Sequence, residues 1–260
     1  MNYKYTILTF IFGNYEFIRE LEYIETDVEY ICVTDNKELI SNTWTIIYDE
    51  DLEGKGVFDK CLSVRYNPFK YCSTDLCVRI DGSFQINKSL TPIVEEFIKS
   101  NQDICLAIHP YRDSIIEEYN IWNIYRNYPE EKIQKHLDLF ERLNYDFTKK
   151  GFIAIGFSII KNIKINNDLN RITYDIQRLL GDEQDVDRLD QTTITVILDK
   201  FFPEIKIFTV SLRIIHSEFI TWCLHGSNIP IEYVIEHEIK TPHLNDTPVV
   251  YNDYNFINYD

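Results

Sequence analysis

The sequence predicts a single α/β domain built on a mostly parallel sheet that is flanked by helices. Short apolar segments of strand length alternate with segments of helical periodicity along the 260 residues. The strand-like segments are apolar almost throughout, which is typical of strands covered on both faces. Hydrophobic residues make up 45% of the chain and aromatic residues 14%, enough to build a large core.

Each element follows from the local pattern. The helix over 89–101 has Ser89 or Thr91 as candidate caps and Pro92 in its first turn. The segment 113–149 is predicted as a helical insertion of two helices, broken near Tyr128-Pro129. The other predicted helices are 56–72, 168–182 and 188–202, and the predicted strands are 3–13, 28–36, 43–50, 76–80, 103–110, 151–161 and 205–212.

No composition break divides the chain, so one domain is expected over 1–241, followed by a tail over 242–260 that is rich in Asn, Asp and Tyr. The six cysteines are scattered, without a CxxC pair or zinc-type spacing, which favours buried thiols in a reducing compartment. No apolar run reaches the roughly 20 residues of a membrane span. A cytoplasmic protein is expected, with peripheral association at the inner membrane left open.

The formal net charge of −16 argues against nucleic acid and anionic lipid as primary partners, because a field of that sign repels phosphates. An acidic protein can still bind a phosphorylated small molecule when a divalent cation bridges the charges. P-loop, GxGxxG, GxSxG and HExxH motifs are absent from the sequence, which argues against the enzyme classes that carry them.

Polar residues follow several predicted strands, where ligands bind in parallel sheets. The segment Arg79-Ile80-Asp81-Gly82-Ser83 ends one strand, with Arg79 and Asp81 on the same face. Asp81 could hold Mg²⁺ or Mn²⁺ against a diphosphate, Gly82 would allow close approach of a ligand, and Ser83 would line the site. The alternative is a plain Asp-Gly turn.

Other polar clusters leave two interpretations open. Thr34, Asp35 and Asn36 form either an Asx turn or a seat for a nucleotide. His109 and Arg112 follow the next predicted strand, and Arg112 could bind an anion or simply pair with Glu117 or Glu118.

Two further clusters lie towards the C-terminus. Asp190 and Gln191 open a helix, where Asp190 could be an N-cap or could face a sugar or the reacting centre. His216 or His225 could complete a metal site with Asp81, although a lone histidine is more often structural.

The order of these blocks resembles a bacterial and plant family of glycosyltransferase-like proteins of surface-polysaccharide and cell-wall glycan synthesis. The blocks that carry the resemblance are YTILTFIFGNYEF, VEYICVTDN with Trp44 shortly after, IDGSFQI, HPYRDSIIEE, a GF strand and a DQ pair opening a helix, over roughly 3–200. The resemblance implies a GT-A-type fold in which Asp81 grips metal and diphosphate. It also implies that Thr34, Asp35 and Asn36 lie near the nucleotide, and that Arg112 and Glu118 match the HPxR…EE block.

One departure concerns the basic stretch that this family carries before the IDG strand, which is reduced here to Arg65 and Lys70. The expected function is a metal-dependent hexosyltransferase of capsule or lipopolysaccharide synthesis, with a nucleoside diphosphate sugar as donor and a glycan as acceptor. If the reaction inverts configuration, Asp190 is the first candidate for the base and Glu118 is the second. If configuration is retained, Asp190 and Gln191 would lie under the anomeric carbon, and the sequence does not choose between the two. The alternative is a non-catalytic glycan- or nucleotide-binding protein on the same fold.

Overall fold

The computed structural model describes residues 3–14, 16–126, 128–181, 189–212, 215 and 218–223. The strands of this part of the chain are β1 (Tyr5–Ile11), β2 (Val28–Thr34), β3 (Thr45–Tyr48), β4 (Leu76–Ile80), β5 (Phe84–Ile86), β6 (Ile104–Ile108), β7 (Ile153–Lys161), β8 (Ile207–Ser211) and β9 (Ile220–Trp222). Its α-helices are α1 (Val57–Arg65), α2 (Thr91–Ser100), α3 (Ile115–Arg126), α4 (Glu130–Arg142), α5 (Lys164–Leu180) and α6 (Asp190–Phe201).

The described strands form a central sheet in the order β3-β2-β1-β4-β7-β6-β8. Strand β7 is antiparallel to both of its neighbours, and the other six strands run parallel to one another. Strands β5 and β9 pair separately in a two-stranded antiparallel sheet. The predicted α/β class with a mostly parallel sheet is confirmed, and this architecture is consistent with the GT-A-type fold that the resemblance implies.

Helices cover both faces of the sheet, which explains why its inner strands are apolar throughout. In β1, Ile7 faces the core that contains α2, whereas Leu8 and Phe10 face the side of α1. Helices α5 and α6 pack on that second side against β6 and β7. The insertion forms a satellite core in which α3 and α4 pack against the start of β7 and against α6.

The strand order reverses at β1. The chain builds outward from β1 through β2 to β3, and then returns to place β4 on the other side of β1. Crevices of this kind, at the carboxyl ends of the strands beside a topological switch point, are where ligands bind in open α/β sheets. The fold therefore draws attention to the residues that follow β1 and β4.

Some predicted boundaries were wrong. The helix predicted over 56–72 ends at Arg65 and is followed by a separate 3₁₀ turn, Pro68–Lys70, because proline disfavours helical backbone in the residue before it. Helix α5 begins at Lys164, four residues before the predicted start. The predicted break near Tyr128-Pro129 is confirmed, since α3 ends at Arg126 and α4 begins after Pro129.

Three further predictions concern the cap of α2, the cysteines and the C-terminal tail. The backbone residue at the N-cap of α2 is Leu90, although the Ser89 hydroxyl does accept a hydrogen bond from the Thr91 amide at 3.1 Å. Burial was predicted for the cysteines, and four of them, Cys32, Cys77, Cys105 and Cys223, are buried, whereas Cys61 and Cys72 are partly exposed. The tail predicted over 242–260 lies outside the described residues.

Candidate functional site

Asp81 is the first residue after β4, beside the switch point. Its carbonyl accepts a hydrogen bond from the Phe84 amide at 3.0 Å, so the Asp-Gly segment does form a turn. Its side chain does not cap that turn, because Oδ1 accepts a hydrogen bond from Nη2 of Arg65 at 2.6 Å. The side chain is 36% exposed. The turn and the projecting carboxylate thus coexist in one residue.

Two glycines, Gly156 and Gly82, leave room for the Asp81 turn and its side chain. A β-carbon at Gly156 of β7 would lie 3.2 Å from Oδ2 of Asp81 and 2.9 Å from the ring of Phe84. A β-carbon at Gly82 would lie 3.2 Å from the Phe10 carbonyl and 3.1 Å from a side-chain carbon of Ile11, at the end of β1. In this structure Gly82 therefore provides close approach between two chain segments.

Arg65, the last residue of α1, joins Asp81 to a second carboxylate. Nη1 of Arg65 forms an ion pair with Oδ2 of Asp190, at the start of α6. The guanidinium is 11% exposed and lies over the ring of Phe10, 5.4 Å from its centroid. Although burial opposes the charge, the two carboxylates raise the pKa of Arg65. These three residues, Arg65, Asp81 and Asp190, are called the Arg65 cluster below.

Arg79 contacts the Arg65 cluster through the backbone carbonyl of Arg65. Its guanidinium is buried, and its Nε donates to the Ser158 hydroxyl at 2.9 Å while its Nη1 donates to the backbone carbonyl of Arg65. Burial lowers the pKa of Arg79 to about 10. Arg79 and Asp81 both contact Arg65, and the described contacts of the Arg79 guanidinium are with protein groups, whereas the sequence predicted a substrate contact.

Asp190 is the first residue of α6, and the N-cap position belongs to Leu189. Its carboxylate is 12% exposed, and Oδ1 accepts a hydrogen bond from the Gln191 amide at 3.1 Å. Burial raises the pKa of Asp190 to about 6, and nearby Asp81 adds to the effect while Arg65 opposes it. A buried carboxylate with a pKa near neutrality has the property of a general base.

A second group, called the Arg112 cluster below, consists of His109, Arg112, Glu118, Trp122 and Gln191. Nε of Arg112 lies 2.5 Å from Oε2 of Glu118, whose side chain is 2% exposed. Oε1 of Glu118 accepts hydrogen bonds from the Trp122 indole at 2.7 Å and from Nε2 of the Gln191 side chain at 3.4 Å. Since Asp190 and Gln191 are adjacent, the first two residues of α6 link the two clusters.

His109 begins the loop after β6 and organises it. Its Nδ1 accepts hydrogen bonds from the amides of Tyr111 and Arg112, both at 3.1 Å, and the Arg112 guanidinium lies beside Nε2. Burial, together with the charge of Arg112, holds the pKa of His109 well below its usual value. His109 is therefore a neutral acceptor that orders the HPYR loop.

The Thr34-Asp35-Asn36 segment follows β2 and does form a turn. The Thr34 hydroxyl accepts from the Asn36 amide at 3.1 Å, and the Asn36 side chain accepts from the Glu38 amide at 2.9 Å. Asp35 has a different role, because it accepts from the Gly13 amide at 3.0 Å and from the Lys60 ammonium at 2.8 Å.

Asp35 thereby ties the loop after β1 to helix α1. Although partial burial opposes the shift, these two donors lower the pKa of Asp35. Ser83 is buried, and its carbonyl accepts from the Cys223 amide at 2.9 Å.

The side chains around Asp81 can be compared with the ligands that Mg²⁺ or Mn²⁺ requires. Among the residues that the structure describes, no group of three or more His, Cys, Asp or Glu side chains could hold a metal ion. Mg²⁺ is often bound by one or two carboxylates plus substrate phosphates, so a full protein cage is not required. Asp81 fits that minimal pattern, because it is half-exposed and Arg65 occupies only its Oδ1. His216 and His225 lie outside the described residues.

A separate cavity of about 540 Å³ lies between α1, the 3₁₀ turn and α5. Tyr66, Lys70 and Tyr174 contribute to its wall, and no member of either cluster does. The carboxylate chemistry and this concave volume are therefore distinct features. We assign the candidate site to the clusters, because they lie at the carboxyl ends of β4 and β6 and the Arg65 cluster is beside the switch point.

Arg65 was named in the sequence analysis only as a remnant of a basic stretch. A signal was available, since Arg65 lies three residues after Leu62, and Leu62 belongs to the buried face of α1. An arginine on a buried face needs a carboxylate partner or another acceptor, which points to an ion pair. The partners themselves come from β4 and α6, so their identity required the tertiary structure.

Comparison with known proteins finds a similarity in structure but none to a protein family or a curated protein. No family model matches the chain, and the curated proteins contain no match to it. Among solved structures, the apo form of mouse xyloside xylosyltransferase 1 is similar with 12% sequence identity and a TM-score of 0.46, covering 79% of this chain and 84% of that chain. Within the described residues, none of the helices combines the length and apolar character needed to cross a membrane.

Proposed function

We propose that this protein transfers a sugar from a nucleoside diphosphate donor to an acceptor hydroxyl at the strand ends beside β1 and β4. The observation that carries the proposal is the Arg65 cluster, in which a half-exposed carboxylate and a buried one share a single guanidinium at the switch point. Donor chemistry of this class needs a positive centre for the diphosphate and a base for the acceptor. Both kinds of group are present in this cluster.

Asp81 is the proposed ligand for Mn²⁺ or Mg²⁺, with the substrate's phosphate oxygens completing the coordination. The cation would stabilise the negative charge that develops on the leaving diphosphate. The polar end of β2, formed by Thr34, Asp35 and Asn36, is the proposed nucleotide side of the site. His109 and Arg112, which follow the end of β6, are the proposed opposite side of the site.

Asp190 is the proposed base. As the acceptor oxygen bonds to the anomeric carbon, the carbon–oxygen bond to the diphosphate breaks with its electron pair, and Asp190 takes the hydroxyl proton. This assignment applies to an inverting reaction. Glu118, the second candidate, is 2% exposed against 12% for Asp190, and its two oxygens contact Arg112 and Trp122, so we give it a positioning role with Gln191.

The proposed donor, acceptor and location are those that the family resemblance implies. A hexose donor, a glycan acceptor of the capsule or lipopolysaccharide type and a cytoplasmic location are part of the proposal. The acidic character of the chain is compatible with it, because a bridging cation lets a negative protein hold a diphosphate.

Calorimetry with a panel of UDP- and GDP-sugars, with and without Mn²⁺, tests the proposal. We expect binding only when nucleotide and Mn²⁺ are present together, and loss of about 100-fold or more in affinity in Asp81→Ala or after EDTA. The matched control is Asp27→Ala. Asp27 is a surface carboxylate that pairs with Lys4, and it lies just before the amino end of β2, away from the carboxyl ends of the strands.

Equal affinity in Asp81→Ala and in the wild type would contradict the metal role. Release of free nucleoside diphosphate from the bound donor separates a transferase from the alternative binding protein, because a binding module leaves the donor intact. Donor binding with no turnover in the presence of acceptor glycans would favour that alternative.

A further inference from the structure

Arg65 binds one oxygen of the carboxylate that is the proposed cation ligand. Its Nη2 is 2.6 Å from Oδ1 of Asp81, within the distance of a charge-assisted hydrogen bond. A divalent cation coordinated by the same carboxylate would sit at about 2.0–2.6 Å from its oxygens. The guanidinium and the cation would then be like charges within a few ångströms, and the guanidinium is only 11% exposed.

The guanidinium is held in place on several sides. It pairs with Asp190, lies over the ring of Phe10, and belongs to a residue whose carbonyl accepts from Arg79. The cluster has one positive and two negative side chains, so its own formal charge is −1, and Arg79 behind it adds a positive charge. Arg65 and Arg79 together therefore balance the formal charge of the two carboxylates that would attract a cation.

We propose that Arg65 is an internal competitor of the divalent cation at Asp81, so that cation and diphosphate bind together and the cation alone binds weakly. The diphosphate gives the guanidinium a new anionic partner at the moment when Asp81 turns to the cation. Asp190 keeps Arg65 near the site during that exchange. This inference rests on the proposed function, because it assumes the cation site at Asp81.

Binding of Mn²⁺ alone to the full chain tests the competition, measured by the loss of the free Mn²⁺ signal in electron paramagnetic resonance. Arg65→Gln is expected to bind Mn²⁺ about tenfold more tightly than the wild type, because the competing charge is removed. The double variant Arg65→Gln, Asp81→Asn should lose that gain. A variant that merely fails to fold would not gain a site that depends on Asp81.

Arg178→Gln is the matched control. Arg178 also pairs with a buried carboxylate, since its Nη1 lies 3.0 Å from Oδ2 of Asp59, but it belongs to α5 and to neither cluster. Its substitution should leave the affinity for Mn²⁺ unchanged. An equal gain in Arg178→Gln would show a general effect of net charge and would overturn the proposal.

The outcomes separate this inference from the proposed function. Unchanged or weaker Mn²⁺ binding in Arg65→Gln overturns the competition, even when Asp81→Ala abolishes binding of nucleotide sugar with Mn²⁺ and the proposed function stands. A gain in Arg65→Gln that depends on Asp81 supports the competition, even when no nucleotide sugar binds and the sugar-transfer proposal falls.

Discussion

Two arginines lie beside carboxylates at the same end of the sheet, and their surroundings differ. In the Arg65 cluster, one guanidinium serves two carboxylates, and one of these, Asp81, is 36% exposed. In the Arg112 cluster, Glu118 is 2% exposed and also accepts from Trp122 and Gln191. The first group has acceptor capacity facing solvent, whereas the second uses its acceptor within the protein.

The difference teaches that an ion pair at a strand end is not by itself evidence of a ligand site. Buried ion pairs often fix a structure, and removal of one partner leaves an uncompensated charge. A half-exposed carboxylate with one oxygen turned to an arginine can exchange that partner for a ligand. We therefore expect substitutions in the Arg65 cluster to change chemistry and those in the Arg112 cluster to change stability.

The largest expected effect is that of Asp190→Asn. Loss of the base should reduce kcat by about 10²–10⁴-fold, with little change in the affinity for the nucleotide sugar, because the amide cannot take the acceptor proton. Steady-state release of nucleoside diphosphate with the donor found by calorimetry measures kcat and KM separately. Asp199→Asn, near the other end of α6, is the control and should keep full activity. A kcat within threefold of wild type would remove Asp190 as the base.

Glu118→Gln should act mainly on stability. It leaves the Arg112 charge without its partner, so the free energy of unfolding should fall by about 2–4 kcal/mol, while kcat changes by less than about threefold. Urea unfolding followed by circular dichroism gives the stability. Glu117→Gln is the neighbouring control, since Glu117 accepts only the Asp113 amide among its contacts described here. A large loss of kcat at full stability would transfer the role of base to Glu118.

The smallest effect concerns pH. Because the pKa of Asp190 is raised to about 6, its charged form is complete only above that pH, and kcat should fall about tenfold per pH unit below it. Arg65→Gln should move this limb to higher pH, because Arg65 favours the charged form, whereas Glu118→Gln should leave it in place. An acid limb near pH 4 in the wild type would contradict the assignment.

The raised pKa of Asp190 also makes the free energy of unfolding depend on pH. Between about pH 4 and pH 6 the folded protein holds the Asp190 proton more tightly than the unfolded chain does, so this residue lowers the free energy of unfolding as pH rises. Asp190→Asn should remove that contribution from the pH dependence of unfolding, which urea titrations at several pH values measure.

Helical and strand periodicity located most of the elements, because each depends on residues close in sequence. It missed the early start of α5, whose first turn is polar, and it extended α1 through the 3₁₀ turn that follows Arg65. It also had no means of predicting that β7 runs antiparallel between β4 and β6, since strand direction is a property of the whole sheet.

The amino-acid sequence by itself determined an α/β chain with polar residues at several strand ends, because burial on two faces and turn chemistry are local patterns. Only the tertiary structure decided which of those residues meet. Asp81 follows β4, Arg65 ends α1 and Asp190 begins α6, and their ion pairs form because the fold brings those three segments together at the carboxyl end of β4. Long-range proximity depends on topology, and topology is not contained in any short stretch of the chain.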